Sequence, residues 1–232
     1  KGTVIGGLAK IVANSKLINS ADLPATLPVK KPVEIKDLQV AAEMKGNDAR
    51  LTNLSLQVFN GLLRGQGTLG IGSATPPFSG KVSLQGLQLG PALLALGTEQ
   101  VSMSGTAAGE VTMSGRGFAQ PDLVKALEGS GHIAVKDGRL EGINLLQEAA
   151  TLLKVAGVTL DNVKATAFST IESDFAVKQG LINVQRLLMD SHDFQATGGG
   201  TIGLDQSLNV KLNLNLSQAL SQKIAAGSPI AK

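Results

Sequence analysis

The sequence of 232 residues contains no cysteine, tryptophan or tyrosine, and only six phenylalanines. Without cysteine, the chain has neither a disulfide framework nor a metal site built from thiolates. Aromatic side chains usually supply much of the buried area of a core. The core of this chain must therefore be aliphatic, built from leucine, valine, isoleucine and alanine.

Charged residues are also scarce, at 17% of the chain against roughly 25% in ordinary soluble domains. The net charge is +3, and the basic residues are scattered along the sequence. Proteins that bind nucleic acids concentrate lysine and arginine on one face, often beside aromatic residues that stack on bases. Neither feature is present, so we do not expect a nucleic-acid partner. A weak preference for anionic lipid headgroups stays open.

No run of 18 or more apolar residues occurs, so we expect no membrane-spanning helix within these residues. The sequence begins at Lys1 and not at methionine, which leaves open that a signal or anchor segment precedes it. Apolar residues recur at helical spacing between Thr3 and Ile18, and Pro24, Pro28 and Pro32 punctuate the residues after them. We therefore predict an amphipathic helix and a proline-rich linker over residues 1–32, followed by a β-rich domain over residues 33–232.

Alternating apolar and polar residues dominate the rest of the chain. The clearest example runs from Leu208 to Leu216, where every second residue is leucine or valine. Since successive side chains of a strand point to opposite faces, this segment predicts a strand with one aliphatic and one polar face. Shorter alternations, from Leu38 to Met44 and from Leu54 to Val58, predict further strands.

Helical patterns are few and short. An amphipathic helix is predicted from Ile143 to Ala156, ending at Gly157. Three shorter helices are predicted at Pro91–Leu96, Pro121–Leu127 and Ser217–Ala226. The predicted fold class is therefore mainly β, with many antiparallel strands and a few helices on one side of the sheet or at its ends.

A glycine motif occurs three times, beginning at Gly65, Gly129 and Gly198. The copies at Gly65 and Gly198 fit the G-x-G-x-x-G pattern of dinucleotide-binding proteins, and the copy at Gly129 ends in alanine instead of the last glycine. That pattern binds a pyrophosphate only where a helix begins within it. Here the following residues alternate as a strand does, so we expect no nucleotide and no cofactor. The copies instead predict the beginnings of successive strands in an imperfect repeat.

The stretch from Leu127 to Leu145 resembles the C-terminal region of the AsmA family of bacterial envelope proteins. The shared features are a glycine-rich strand, a turn at Asp137-Gly138, and the segment from Leu140 to Leu145 leading into a helix. The segments that follow extend the resemblance over roughly residues 100–216. It implies a curved, groove-like antiparallel sheet. It also implies a periplasmic location, a tether to the inner membrane in the full-length protein, and a role in phospholipid transport and outer-membrane upkeep.

A mechanism follows from the strand chemistry as a hypothesis. An aliphatic sheet face could shelter the acyl chains of a phospholipid or another acyl lipid, because burial of each methylene contributes about 0.8 kcal/mol. The candidate groove residues are Leu208, Val210, Leu212 and Leu214. Two alternatives stay open: the same residues form ordinary core, or the domain is a scaffold that binds envelope proteins through its sheet edges.

No catalytic pattern is present, so we expect a protein that is not an enzyme. The two histidines are His132 and His192. His192 lies beside Asp190 and Asp193, an arrangement that suits a metal or a general base but is more typical of a solvated turn. His132 lies early in a predicted strand in the polar phase, where we expect it to be exposed or hydrogen-bonded. No catalytic residue and no metal ligand is predicted.

Overall fold

A computed structural model describes residues 2–5, 8–19, 33–97, 102–117, 120–152, 164–203 and 207–227. Its strands form one open, curved antiparallel sheet, which confirms the predicted fold class. The sheet has 12 strands, and their spatial order is their order along the chain. Each strand therefore pairs with the strands that precede and follow it in the sequence.

The strands are β1 (Gly2–Ile5), β2 (Leu8–Asn19), β3 (Glu34–Lys45), β4 (Asp48–Val58), β5 (Gly61–Gly70), β6 (Pro77–Gln88), β7 (Ser102–Arg116), β8 (Glu128–Glu141), β9 (Ala165–Lys178), β10 (Leu181–Asp190), β11 (Phe194–Gly203) and β12 (Leu208–Leu216). The helices are α1 (Leu89–Leu96), α2 (Gln120–Ala126), α3 (Leu145–Leu152) and α4 (Gln218–Gly227). None of these described helices has both the length and the apolarity that crossing a membrane would require.

The helix predicted between Thr3 and Ile18 is wrong, because this segment forms β1 and β2. β2 pairs with β3 in antiparallel register from Leu8↔Lys45 to Asn19↔Glu34. A backbone ladder of this length outweighs a short helical periodicity, which is a weak local preference. One sheet thus includes strands from both sides of the predicted boundary, β2 before it and β3 after it. The predicted linker from residue 20 onward lies outside the described residues, and the division into two domains stays a prediction.

The other helices are where the sequence places them. Helices α1, α2 and α4 match the three short predictions within two residues. Helix α1 ends where Gly97 adopts a φ of 72° and donates its backbone N–H to the carbonyls of Leu93 and Leu94. Helix α3 confirms the first part of the predicted amphipathic helix, while residues 153–163, including Gly157, lie outside the described part.

Two predictions about glycines need correction. The predicted turn at Asp137-Gly138 lies inside β8, where Asp137 has a φ of +50° and the register against β7 shifts. It is therefore a bulge in a continuous strand. Of the three glycine motifs, only the copy at Gly129 begins a strand, whereas Gly65 and Gly198 lie in the middle of β5 and β11.

The register places the apolar residues of neighbouring strands side by side in four rows on one side of the sheet, which we call the apolar face. Row 1 runs from β6 to β12 and contains Leu87, Ala107, Val135, Ile171, Met189, Ala196 and Leu214. Row 2 runs from β4 to β12 and contains Leu56, Leu63, Leu84, Gly109, Ile133, Ser173, Leu187, Gly198 and Leu212.

Rows 3 and 4 each cross ten strands, from β3 to β12, and contain no polar side chain. Row 3 contains Val40, Leu54, Gly65, Val82, Val111, Gly131, Phe175, Val184, Gly200 and Val210. Row 4 contains Ala42, Leu51, Gly67, Gly80, Met113, Gly129, Val177, Ile182, Ile202 and Leu208. At a strand spacing of about 4.8 Å, each of these rows is roughly 43 Å long.

The rows explain the repeated glycine motif. The first and third residues of each copy are glycines, and as alternate residues of a strand they lie on the same face. In all three copies that face is the apolar one, and Gly65, Gly131 and Gly200 fall in the same row. The motif therefore provides a low floor of backbone between aliphatic side chains.

The core lies at one end of the apolar face. Its buried residues include Ala107, Val135, Met189 and Ala196, all from row 1. Leu89 of α1 and Leu145 and Leu146 of α3 pack against them. We call this end of the sheet the helical end, because α1, α3 and α4 all connect to strands there. Helix α2 lies at the opposite end, between β7 and β8.

Two neighbouring glycines of row 4 provide a matched stability test. A Cβ atom at Gly67 would lie 2.6 Å from the carbonyl oxygen of Ser79, whereas one at Gly80 would meet only the carbonyl oxygen of Gln66, at 3.4 Å. Gly67→Ala should therefore lower the free energy of unfolding by about 1–3 kcal/mol, and Gly80→Ala should leave it unchanged or raise it by about 0.5 kcal/mol. Urea denaturation of both variants measures the difference, and equal effects would contradict this account of the glycine floor.

Candidate functional site

The apolar face becomes more exposed with distance from the helical end. Four of the seven residues in row 1 are buried, whereas none of the twenty residues in rows 3 and 4 is buried. Within the described residues, no second sheet faces these two rows, and the helices contact the sheet at its two ends, α1 and α3 at the helical end and α2 against β7 at the opposite end. Monomeric proteins rarely expose apolar patches larger than a few hundred Å², and larger patches mark interaction surfaces. The open part of the apolar face is therefore the candidate functional site.

The four predicted groove residues lie on this face, one in each row, all on β12. Leu208 of row 4 is 71% exposed and Leu212 of row 2 is 39% exposed. Val210 is half-buried, and Leu214 packs against the core cluster. Sequence reasoning could place all four on one face of a strand. It predicted further strands but did not place their residues in rows 3 and 4, because only the register brings those residues into line.

The opposite side of the sheet, which we call the polar face, carries the residues that alternate with the four rows. Hydroxyl, amide and charged side chains dominate it, including the hydrogen-bonded pair of Thr68 and Ser79, whose oxygens lie 2.8 Å apart. Lys81 and Glu110 form an ion pair at 2.7 Å. The sheet therefore separates charge from hydrocarbon across the ten strands from β3 to β12.

A cluster of charged contacts on the polar face joins β8, β9 and β10. Nδ1 of His132 lies 2.7 Å from Oδ1 of Asp174, and Nε of Arg186 donates to Oδ2 of the same carboxylate at 2.8 Å. An irregularity in β10, between Val184 and Arg186, sets the register that brings the guanidinium beside Asp174. The hydrogen bonds from His132 and then Arg186 hold the pKa of Asp174 below its ordinary value.

The structure confirms the prediction that His132 is exposed or hydrogen-bonded, since it is both. His192 lies in the bend between β10 and β11 and is exposed, as predicted for a solvated turn. Within the described ranges, no group of three or more histidine and acidic side chains is placed to hold a metal ion. The His132–Asp174–Arg186 cluster is an exposed charge network with every member paired, which suits a solvated sheet surface.

The AsmA family model matches residues 28–187. The match begins well before the residues that carry the resemblance in the sequence, so it includes the earlier alternating strands β3–β6. No curated protein and no solved structure matches the chain.

The charge network predicts a stability change in acid. The pKa of Asp174 is lower in the folded state than its ordinary value of 3.8. The contribution of Asp174 to the free energy of unfolding is therefore complete above pH 3.8 and is lost as the pH falls through the folded-state pKa. Asp174→Asn should therefore destabilise the fold at neutral pH, and its difference from wild type should shrink below about pH 3.8. Urea denaturation of wild type and variant, from neutral pH to below pH 3.8, measures both free energies of unfolding. A difference that stays constant in acid would contradict the assignment.

Proposed function

Because the chain belongs to the AsmA family, a family of bacterial envelope proteins, we propose that it is a non-enzymatic domain for phospholipid transport and outer-membrane lipid homeostasis. Acyl chains lie on the apolar face, over rows 3 and 4. The observation that carries the proposal is the combination of composition and exposure: ten strands contribute only aliphatic side chains, methionine, phenylalanine and glycine to these rows, and none of them is buried.

The energetics favour lipid over a specific small ligand. Each methylene that moves from water onto this surface contributes about 0.8 kcal/mol, so a segment of one acyl chain already provides substantial affinity. The glycines of rows 2 to 4 keep the floor low, and most side chains beside them are aliphatic, with Met113 and Phe175 as apolar exceptions in rows 3 and 4. Such a surface contacts hydrocarbon without selecting a headgroup, as transport of bulk phospholipid requires.

Membership of a family of bacterial envelope proteins supports the proposed location. We place the domain in the periplasm, tethered to the inner membrane in the full-length protein, with its polar face toward water. The ion pairs and hydroxyl groups of the polar face support this orientation because they are satisfied within the sheet and stay hydrated.

A second candidate is a scaffold that recruits an envelope protein. The observation that favours it is the outer edge of β12, which has no partner strand within the described part of the chain. An exposed strand edge offers unpaired backbone groups to an added strand. A scaffold would need the β12 edge and not the apolar face. Substitutions on the apolar face should therefore reduce lipid binding and leave partner binding at the β12 edge unchanged.

Carboxylates placed on the two faces of β12 separate lipid binding from folding. Leu208→Asp and Leu212→Asp add charge where the wild-type leucines are already exposed, so the domain should stay folded and its bound phospholipid should fall several-fold. Asn209→Asp and Asn213→Asp add the same charge on the polar face of the same strand and should retain wild-type lipid. Native mass spectrometry with lipid extraction measures the bound lipid, and circular dichroism checks the fold.

Leu214→Asp is expected to behave differently from the outer positions. Its side chain packs against the core cluster, so a carboxylate there should destabilise the domain by about 2–5 kcal/mol. If the wild-type domain carries no phospholipid, or if Leu208→Asp carries as much as wild type, the lipid proposal is wrong and the scaffold becomes the better interpretation.

A further inference from the structure

A cavity of about 730 Å³ lies at the helical end of the sheet, between α3, α4 and the adjoining ends of β9 and β11. Its apolar lining comes from Leu146 of α3, Phe168, Phe194 and Leu220 of α4. The two phenylalanines are buried members of the core cluster, so this part of the wall is fixed by the fold. The cavity is large enough for a small polar group together with the first part of a hydrocarbon chain.

The rim of the cavity is polar and contains two basic side chains, Lys223 of α4 and His192 of the β10–β11 bend. Both are exposed, and within the described residues neither forms an ion pair or a side-chain hydrogen bond. Asp193 is the carboxylate of the rim. An ammonium group without a counterion, above an apolar wall, is complementary to an anionic group attached to hydrocarbon.

The cavity adjoins the apolar face at the β11–β12 ladder, because Phe194 lines the cavity and belongs to that face. Phe194 is paired with Leu216 at the helical end of the β11–β12 ladder. From this pair, the side chains on the same side of β11 are Phe194, Ala196, Gly198, Gly200 and Ile202. Their partners on β12 are Leu216, Leu214, Leu212, Val210 and Leu208. On β11, Phe194 and Ala196 are buried, whereas on β12 Leu216, Leu212 and Leu208 are 40%, 39% and 71% exposed. The exposed strip therefore runs along β12 from Leu216 to Leu208, over roughly 26 Å, beside Gly198 and Gly200 of β11.

The geometry points to a headgroup site: the cavity holds the anionic group of an amphiphile at Lys223, and the acyl chain lies along β12 from Leu216 toward Leu208. This inference rests on the proposed lipid function and adds a direction to it. The lipid lies with its head at the helical end and its tail toward the open end. It also names a class of ligand, an amphiphile whose headgroup is an anionic phosphate or carboxylate.

The first test compares lysophosphatidylglycerol, which has one acyl chain and a net negative headgroup, with a monoacylglycerol of the same chain length. Wild-type protein should bind the anionic lipid about tenfold more tightly than the neutral one, measured by calorimetry below the critical micelle concentrations. Lys223→Glu should remove this preference because it reverses the rim charge. Lys211→Glu makes the same charge change on the polar face of β12 and should keep the preference.

Inorganic phosphate and glycerol 3-phosphate serve as control ligands, because each has an anionic group and no acyl chain. If either binds as tightly as the lysophospholipid, the cavity is a plain anion site and the inference is wrong. If both lysolipids bind but with equal affinity, or if Lys223→Glu leaves the preference intact, the headgroup site is wrong while the lipid function stands. If no acyl compound binds to the wild-type domain, the proposed function itself fails.

A photoreactive probe tests the direction independently. A lysophosphatidylglycerol with a diazirine at the end of its acyl chain should label residues near Gly200, Ile202 or Leu208, identified by mass spectrometry of peptides. A probe with the diazirine beside the headgroup should label α4 or the β10–β11 bend. Labelling of α4 by the chain-terminal probe would overturn the proposed direction.

Discussion

The structure depends on one constraint: the two-residue alternation of side chains must stay in phase across every pair of neighbouring strands. A shift of one residue at a single pair would turn the hydrophobic set of that strand to the polar face. Rows 3 and 4 cross ten strands without a polar side chain, so the phase is kept over that entire distance. Where extra residues occur, as at Gln185 of β10, a bulge absorbs them and the alternation resumes.

This constraint explains why the domain has a small core and a large apolar surface at the same time. Helices α1 and α3 pack against the core at row 1, α2 contacts β7 at the opposite end, and none of the larger side chains in the described residues is completely buried. Much of the order must then come from the backbone ladders, which connect each strand to both neighbours. A fold of this kind tolerates an open hydrocarbon surface because its strands are aligned by hydrogen bonds and not by a second layer.

The sequence predicts well those features that depend on local alternation. The strand from Leu208 to Leu216 and the helices α1, α2 and α4 are examples. It fails at the N-terminus, where β2 adopts the strand conformation through pairing with β3 and not through its own periodicity. It also cannot show that Asp174 lies beside His132, since the two residues are 42 positions apart and meet only through the β8–β9 register. The cavity beside α4 cannot be predicted from the sequence either, because its lining comes from segments that are far apart along the chain.

The sequential strand order has a consequence for how such a domain changes in length. Because every strand pairs only with its chain neighbours, a hairpin inserted at any turn adds two strands without rethreading the others. Each added hairpin widens the sheet by roughly 10 Å and extends both faces in phase. Duplication of a hairpin can therefore widen the apolar face in steps, much as repeat proteins change their length. The core at the helical end stays the same.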